Sequence, residues 1–223
     1  MPKNAENSFN LSVAFNTVDA CRDKYLQRLK EFINIKSISD DIDYRLEVER
    51  AILWYSKKLK ELDMKVKLVR PYYKEKFYLG EEIPLEKSEQ IEFPDVILAS
   101  MNDDISKPTV LIYGHVDVRP VENPEEWSSD PWTLNLDNEK LVGRGVADDK
   151  GPLVAWLSAI EVLKNVASTS VNVKMIIEGM AERNSEFLQD ILIELRPTFL
   201  KPSQLTIRED EGVAIDTPWA LEY

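Results

Sequence analysis

His115 and Asp117 are the residues of this 223-residue sequence whose types and spacing most directly suggest chemistry. They follow the apolar run Val110-Leu111-Ile112-Tyr113, with Gly114 at the point where the backbone needs room. Such a run predicts a buried strand. Positions two apart on a strand point to the same face. An imidazole beside a carboxylate is the usual start of a metal site, the carboxylate orienting the ring. Three more acids fall where strands should end. Asp148 lies in the Gly-rich stretch 143–152, Glu182 follows a β-branched run at 171–178, and Asp210 follows a short apolar run at 204–207. In open α/β sheets ligands gather beyond the carboxyl ends of the strands, so the four positions could share one site for a divalent ion. Each also has a plain alternative. His115 could be a strand-end histidine bonded to a carboxylate, Asp148 or Asp149 a helix N-cap, and Glu182 and Asp210 solvated loop charges.

The composition narrows the chemistry. His115 is the single histidine and Cys21 the single cysteine, so any metal would depend on Asp and Glu, and a finger-type zinc site is excluded. One cysteine also excludes an intrachain disulfide and fits a reducing compartment, which makes a cytoplasmic protein the expectation. A net charge of −12 argues against a nucleic-acid surface and against docking on an anionic membrane. The N-terminus lacks the apolar segment of a signal peptide, and no apolar run approaches membrane-spanning length. The Gly-rich stretch does not read as a phosphate cradle. It lacks the G-K-S/T ending and the G-x-G-x-x-G spacing, and its paired aspartates would repel phosphate.

The elements that must position these residues can be read from periodicity. Residues 1–16 form a loose polar arm in this reading. Helical spacing predicts helices over 18–35 and 43–62, the second carrying Val48, Ile52, Leu53, Tyr55 and Leu59 on one face. The segment 37–41 breaks the first helix and offers N-cap candidates for the second. Residues 64–69 alternate as a half-buried strand, and 71–92 form a surface excursion. Strands follow at 95–99 and 109–113, and a short hairpin turns around Asp137-Asn138. A helix begins near Pro152 and runs to about 166. Beyond it come a strand at 171–177, a helix at 185–195, a strand at 204–207 and the start of another at 219–223. Strands alternating with helices predict an α/β layered domain with a mostly parallel mixed sheet flanked by helices.

Four stretches carry a family resemblance: YGHVDVRP at 113–120, WSSDPW at 127–132, GRGVADDKGP at 143–152 and EGM at 178–180. Together, in order from about residue 17 to the end, they resemble the di-zinc dipeptidases of the cytosolic non-specific and carnosine dipeptidase type, relatives of aminoacylase and carboxypeptidase G. The resemblance implies the N-terminal part of a zinc-peptidase catalytic domain over 17–223. It implies two divalent ions, zinc or manganese, and hydrolysis of dipeptide substrates. His115 and Asp210 would bind one ion, Asp148 would bridge to a second held by Glu182, and Asp117 would orient His115.

Two departures from the family pattern bear on activity. The family reads E-G-M-E-E, in which the first glutamate of the pair is the general base and the second a metal ligand. Here the ligand position is Glu182 and the base position is Ala181. A methyl group accepts no proton, and general-base catalysis contributes about 10²–10⁴-fold. The resemblance also implies a lid domain through which the family homodimerises. A C-terminal catalytic segment carrying a second metal-binding histidine should follow the lid, and neither is present in this sequence. The expectation is a metal-dependent, dipeptidase-like protein that is inactive as this chain and holds one ion or none. The alternative is a non-catalytic metal-binding or interaction protein, a pseudoenzyme on the same fold.

Overall fold

The structure is a computed structural model and describes residues 10–71, 77–78, 81–82, 93–166, 170–185, 187–200 and 205–207. In chain order the helices are α1 (Leu11–Ala20), α2 (Arg22–Ile33), α3 (Arg45–Glu61), α4 (Lys150–Val166) and α5 (Leu188–Leu195). The strands are β1 (Lys65–Val69), β2 (Phe77–Tyr78), β3 (Glu81–Glu82), β4 (Val96–Met101), β5 (Thr109–His115), β6 (Asn135–Asp137), β7 (Lys140–Val142), β8 (Asn172–Glu178) and β9 (Leu205–Ile207).

Five strands form the main sheet in the order β1-β4-β8-β5-β9. It is a mixed sheet flanked by helices. β5 runs parallel to both β8 and β9, whereas β4 is antiparallel to β1 and β8. The parallel half is the half that carries His115, whose register partner on β8 is Glu178. Alternation along the strands divides the apolar residues between two faces. Ile97, Ala99, Ile112, Val173, Met175 and Ile177 face a core closed by Phe32 and Ile33 of α2, Val48, Ile52 and Tyr55 of α3, and Leu153 and Leu157 of α4. Each such fully buried side chain contributes about 1.5–3 kcal/mol relative to exposure. On the other face Val96, Leu98 and Ile176 pack against Leu188 and Ile191 of α5, with Leu111 and Tyr113 beside them. Among the described residues, no helix is long and apolar enough to cross a membrane.

Three expectations are modified. The N-terminal arm was expected to run to residue 16, but α1 begins at Leu11: Asn10 caps it by accepting from Val13 N, and Ala14 is buried. Residues 1–9 of that arm lie outside the described residues. The helix expected over 18–35 is two helices, broken at Cys21, whose φ of −99° and ψ of 5° leave the helical well. Leu53 was expected on the buried face of α3 but is exposed, because that face is filled by Val48, Ala51, Ile52, Tyr55 and Leu59. The hairpin at Asp137-Asn138 forms as β6 and β7. Asn138 and Glu139 take the positive φ that a tight two-residue turn requires. The surface excursion at 71–92 and the strand expected at 219–223 fall largely or wholly outside the described residues.

Candidate functional site

β5 ends at His115 because the chain there leaves the sheet while its backbone stays tied to both sides. Val116 N donates to Glu178 O at 2.8 Å, and Val118 N donates to Ser37 O at 2.9 Å. Ile38 and Val118 form an isolated parallel bridge. The segment 35–39 after α2 therefore runs alongside 116–118. Ser37 Oγ adds a bond to Val116 O at 2.6 Å.

His115 sits between two aspartates. Its Nδ1 is 3.0 Å from the Asp117 carbonyl oxygen and 3.3 Å from Asp117 Oδ1, and its Nε2 is 3.0 Å from Asp148 Oδ1. A third acid, Asp149, accepts from His115 N through Oδ2 at 2.9 Å. Burial pushes the imidazole pKa down, but the hydrogen bonds and charges of Asp117, Asp148 and Asp149 outweigh it and raise the pKa to about 11. The same His115 contact holds the Asp148 carboxyl below the usual carboxylate range, against its own partial burial. Asp148 and Asp149 are joined by a cis peptide bond, and their side chains serve different partners.

Asp117 is fully buried and has donors on both oxygens. Oδ1 accepts from Ala181 N at 3.2 Å, and Oδ2 accepts from Glu182 N at 3.0 Å and Ser39 Oγ at 2.6 Å. Those two amides open a single 3₁₀ turn, Ala181–Arg183, ended by Asn184 in the left-handed region at φ 63°. Asn is among the few residues that adopt this conformation readily. One carboxylate thus ties the His115 end of β5 to the Glu182 turn after β8. The Glu182 carboxylate is in turn held by Arg119, with Nε 2.7 Å from Oε2.

Lys150 lies under the site and is completely buried. Its Nζ donates to Phe32 O at 3.1 Å and Ile35 O at 2.6 Å, carbonyls at and just past the end of α2 that also accept Ile35 N and Ser37 N. Burial pushes its pKa down to about 7. Glu178 is buried next to His115 and accepts from the Tyr113 hydroxyl at 2.5 Å. Desolvation raises the Glu178 carboxyl and the Tyr113 phenol above their ordinary values.

Of the expected site residues, the structure brings His115, Asp117 and Asp148 into direct contact and links Glu182 to them through Asp117. Asp210 lies outside the described residues. Among the described residues, no group of three or more His, Cys, Asp or Glu side chains converges as a metal cage. The donor chemistry, one imidazole with carboxylates, suits a divalent ion such as zinc or manganese. Two of the donors, His115 Nε2 and Asp148 Oδ1, already converge. Ser39, Lys150 and Arg119 were not singled out from the sequence. Ser39 carried only an N-cap signal, and Arg119 and Lys150 stood inside the stretches 113–120 and 143–152 with no role assigned.

The chain is similar to known proteins. Residues 111–196 match the model of Peptidase family M20/M25/M40. The Cys-Gly metallodipeptidase dug1 of Schizosaccharomyces pombe is 35% identical over 185 residues, covering 82% of this chain and 37% of that protein. The Beta-Ala-His dipeptidase of Rattus norvegicus is 34% identical over 196 residues, 86% of this chain and 38% of the relative. Among solved structures, human carnosine dipeptidase 1 superposes with a TM-score of 0.79 at 31% identity, covering 89% of this chain and 40% of that one. The chain thus spans less than half the length of these relatives.

Proposed function

We propose, for a chain whose residues 111–196 match the model of Peptidase family M20/M25/M40, a divalent-metal site on a dipeptidase-like scaffold that lacks a catalytic base of its own. The contact of His115 with Asp117 on one side and Asp148 on the other carries this reading. In it, His115, Asp148, Glu182 and Asp210 are the donors, and Asp117 orients His115. When bound, divalent ions at such a site polarise substrate oxygens as Lewis acids. The protein's own part is to hold the donors. Asp117 fixes the imidazole and the turn bearing Glu182 together, and Arg119 neutralises Glu182 until a cation replaces it.

Ala181 favours a non-hydrolytic role. Its amide serves Asp117, and its side chain offers no group that accepts a proton. The relatives' printed names point to dipeptides, Cys-Gly and β-Ala-His, as the substrate class to offer. A cytosolic setting accords with the single cysteine.

Metal analysis after gel filtration in zinc or manganese tests the site. At least one ion per chain is expected, lost in His115→Ala. Less than one ion, unchanged by that substitution, would sink the metal reading. Dipeptide hydrolysis tests the base. The wild-type chain should show no turnover, and a rate that His115→Ala abolishes would overturn the non-hydrolytic part.

A further inference from the structure

We propose that Ser39 is a positioning residue for the metal site, acting through Asp117. The proposal rests on the metal reading above for its purpose, and on hydrogen bonds for its geometry. Ser39 Oγ donates to Asp117 Oδ2 at 2.6 Å, and both residues are fully buried.

The four close polar neighbours of the Asp117 carboxylate divide evenly. Oδ1 takes Ala181 N and lies 3.3 Å from His115 Nδ1, while Oδ2 takes Glu182 N and Ser39 Oγ. Three donors, one on Oδ1 and two on Oδ2, with the His115 ring beside Oδ1, fix the rotation of the carboxylate about its last torsion. A terminal sp³–sp² torsion has a broad intrinsic profile, so the donors must supply the orientation. Of the four, Ser39 alone comes from outside the β5 and β8 ends that carry the donors. It is an independent brace. Removing its hydroxyl leaves Oδ2 with one amide in a site closed to water, and the carboxylate can turn away from His115 and from the 181–182 amides together.

Ser37 provides the internal comparison. It is equally buried and two residues away, but its hydroxyl bonds the Val116 backbone carbonyl, not the Asp117 side chain. Loss of the Ser37 hydroxyl therefore loosens the same segment without freeing the carboxylate. Outer partners of this kind typically change metal affinity by about 10–100-fold.

The test compares Ser39→Ala, Ser39→Thr and Ser37→Ala in the full chain, first without metal. His115 is the single imidazole in the sequence, so its ring NMR signals are unambiguous. Ser39→Ala should speed solvent exchange of the Nδ1 proton and of the Ala181 and Glu182 amides by about tenfold or more. Ser39→Thr, which keeps the hydroxyl, should retain wild-type exchange, and Ser37→Ala should lower the melting temperature without moving these signals. Unchanged signals in Ser39→Ala, or equal changes in Ser37→Ala, would overturn the proposal. If Ser39→Ala does not fold, Ser39→Cys, which keeps a weaker donor, should give intermediate exchange, and wild-type exchange there would overturn it as well. Zinc titration then reads the purpose, with about tenfold weaker binding expected in Ser39→Ala and within about twofold of wild type in Ser37→Ala. A wild-type chain that binds no zinc defeats the metal reading, while the exchange data still decide whether Ser39 positions Asp117.

Discussion

Arg119 Nε lies 2.7 Å from Glu182 Oε2, so a side chain from the loop after β5 holds the carboxylate on the turn after β8. The two partners differ in setting: the Arg119 side chain is 73% exposed, and that of Glu182 only 9%. Glu182 raises the guanidinium above its ordinary pKa by hydrogen bonding and by charge, so Arg119 stays cationic. Under the metal reading, a cation entering this site must displace Arg119. The substitution Arg119→Gln removes the competing charge and should tighten zinc binding by about two- to fivefold, the scale of an exposed ion pair. The gain should shrink as salt rises, since screening already weakens the competitor. Calorimetric titration at two ionic strengths checks it, and equal affinities for the two proteins at low salt would count against competition at Glu182.

Lys150 gives a stability prediction. Its Nζ serves two carbonyls, Phe32 O and Ile35 O, that face no water. Lys150→Met keeps most of the volume and removes the Nζ donor, leaving Phe32 O with Ile35 N at 3.2 Å and Ile35 O with Ser37 N at 2.9 Å. Each lost hydrogen bond is worth about 0.5–1.5 kcal/mol, more when the donor is charged. The loss should be about 1–3 kcal/mol by urea unfolding, allowing for the relief of desolvating an amine. No loss, or a gain, would mean that the two bonds from Nζ do not outweigh the burial of the amine.

Much of the sheet and the centre of the candidate site were legible in the sequence. The apolar runs that became β4, β5 and β8 are β-branched or continuous, and burial on both faces makes such runs conspicuous. His115 and Asp117 were legible because strand periodicity alone puts them on one face. Direction was harder to read. Nothing in the residues of β4 says that it runs antiparallel to β8, since pairing depends on how the chain crosses between them. The bracing residues were hidden for a different reason. Ser39 reaches Asp117 across 78 positions, and Lys150 reaches Ile35 across 115. No local pattern encodes a contact between segments that far apart. A serine after a helix is also expected as a cap, which masked its second use.

Glu161 on α4 predicts how stability responds to acid. It accepts from Arg28 Nη2 of α2 at 2.7 Å and also pairs with Lys24. Burial raises its pKa, but the bonds to Lys24 and Arg28 outweigh burial, so the folded value lies below the ordinary one. A depressed carboxyl contributes stability that is present above the unfolded pKa, about 4.3. That stability is lost as pH falls through the folded value. Glu161→Gln should therefore destabilise the chain at pH 7 by about 1.5 kcal/mol, the scale of a charge-assisted hydrogen bond, and by much less at pH 3. Urea midpoints of both proteins at the two pH values check the sign, and a penalty that grows on acidification would refute this account of the α2–α4 contact.

The turn before α4 sets Asp148 in place, and Gly143 in that turn and Gly151 at the start of α4 should respond very differently to a methyl group. A Cβ on Gly151 would stand 1.9 Å from Val146 O, a backbone atom that cannot rotate away. The turn is closed there by Lys150 N and Gly151 N, both donating to Gly145 O at 2.9 and 3.3 Å. Gly151→Ala must open that closure, at a cost of more than about 3 kcal/mol, the range of backbone strain and overpacking combined. A Cβ on Gly143 would meet the Ile33 Cγ2 and Val146 Cγ2 methyls at 3.2 Å each, side-chain ends that can shift by a few tenths of an ångström. Gly143→Ala should therefore cost no more than about 1 kcal/mol. Unfolding curves rank the two, and solvent exchange at the His115 ring reports whether Asp148 has moved with the turn. Equal destabilisation by both substitutions would show that the turn yields as a whole, and that Gly145 O is not the fixed point around which Asp148 is held.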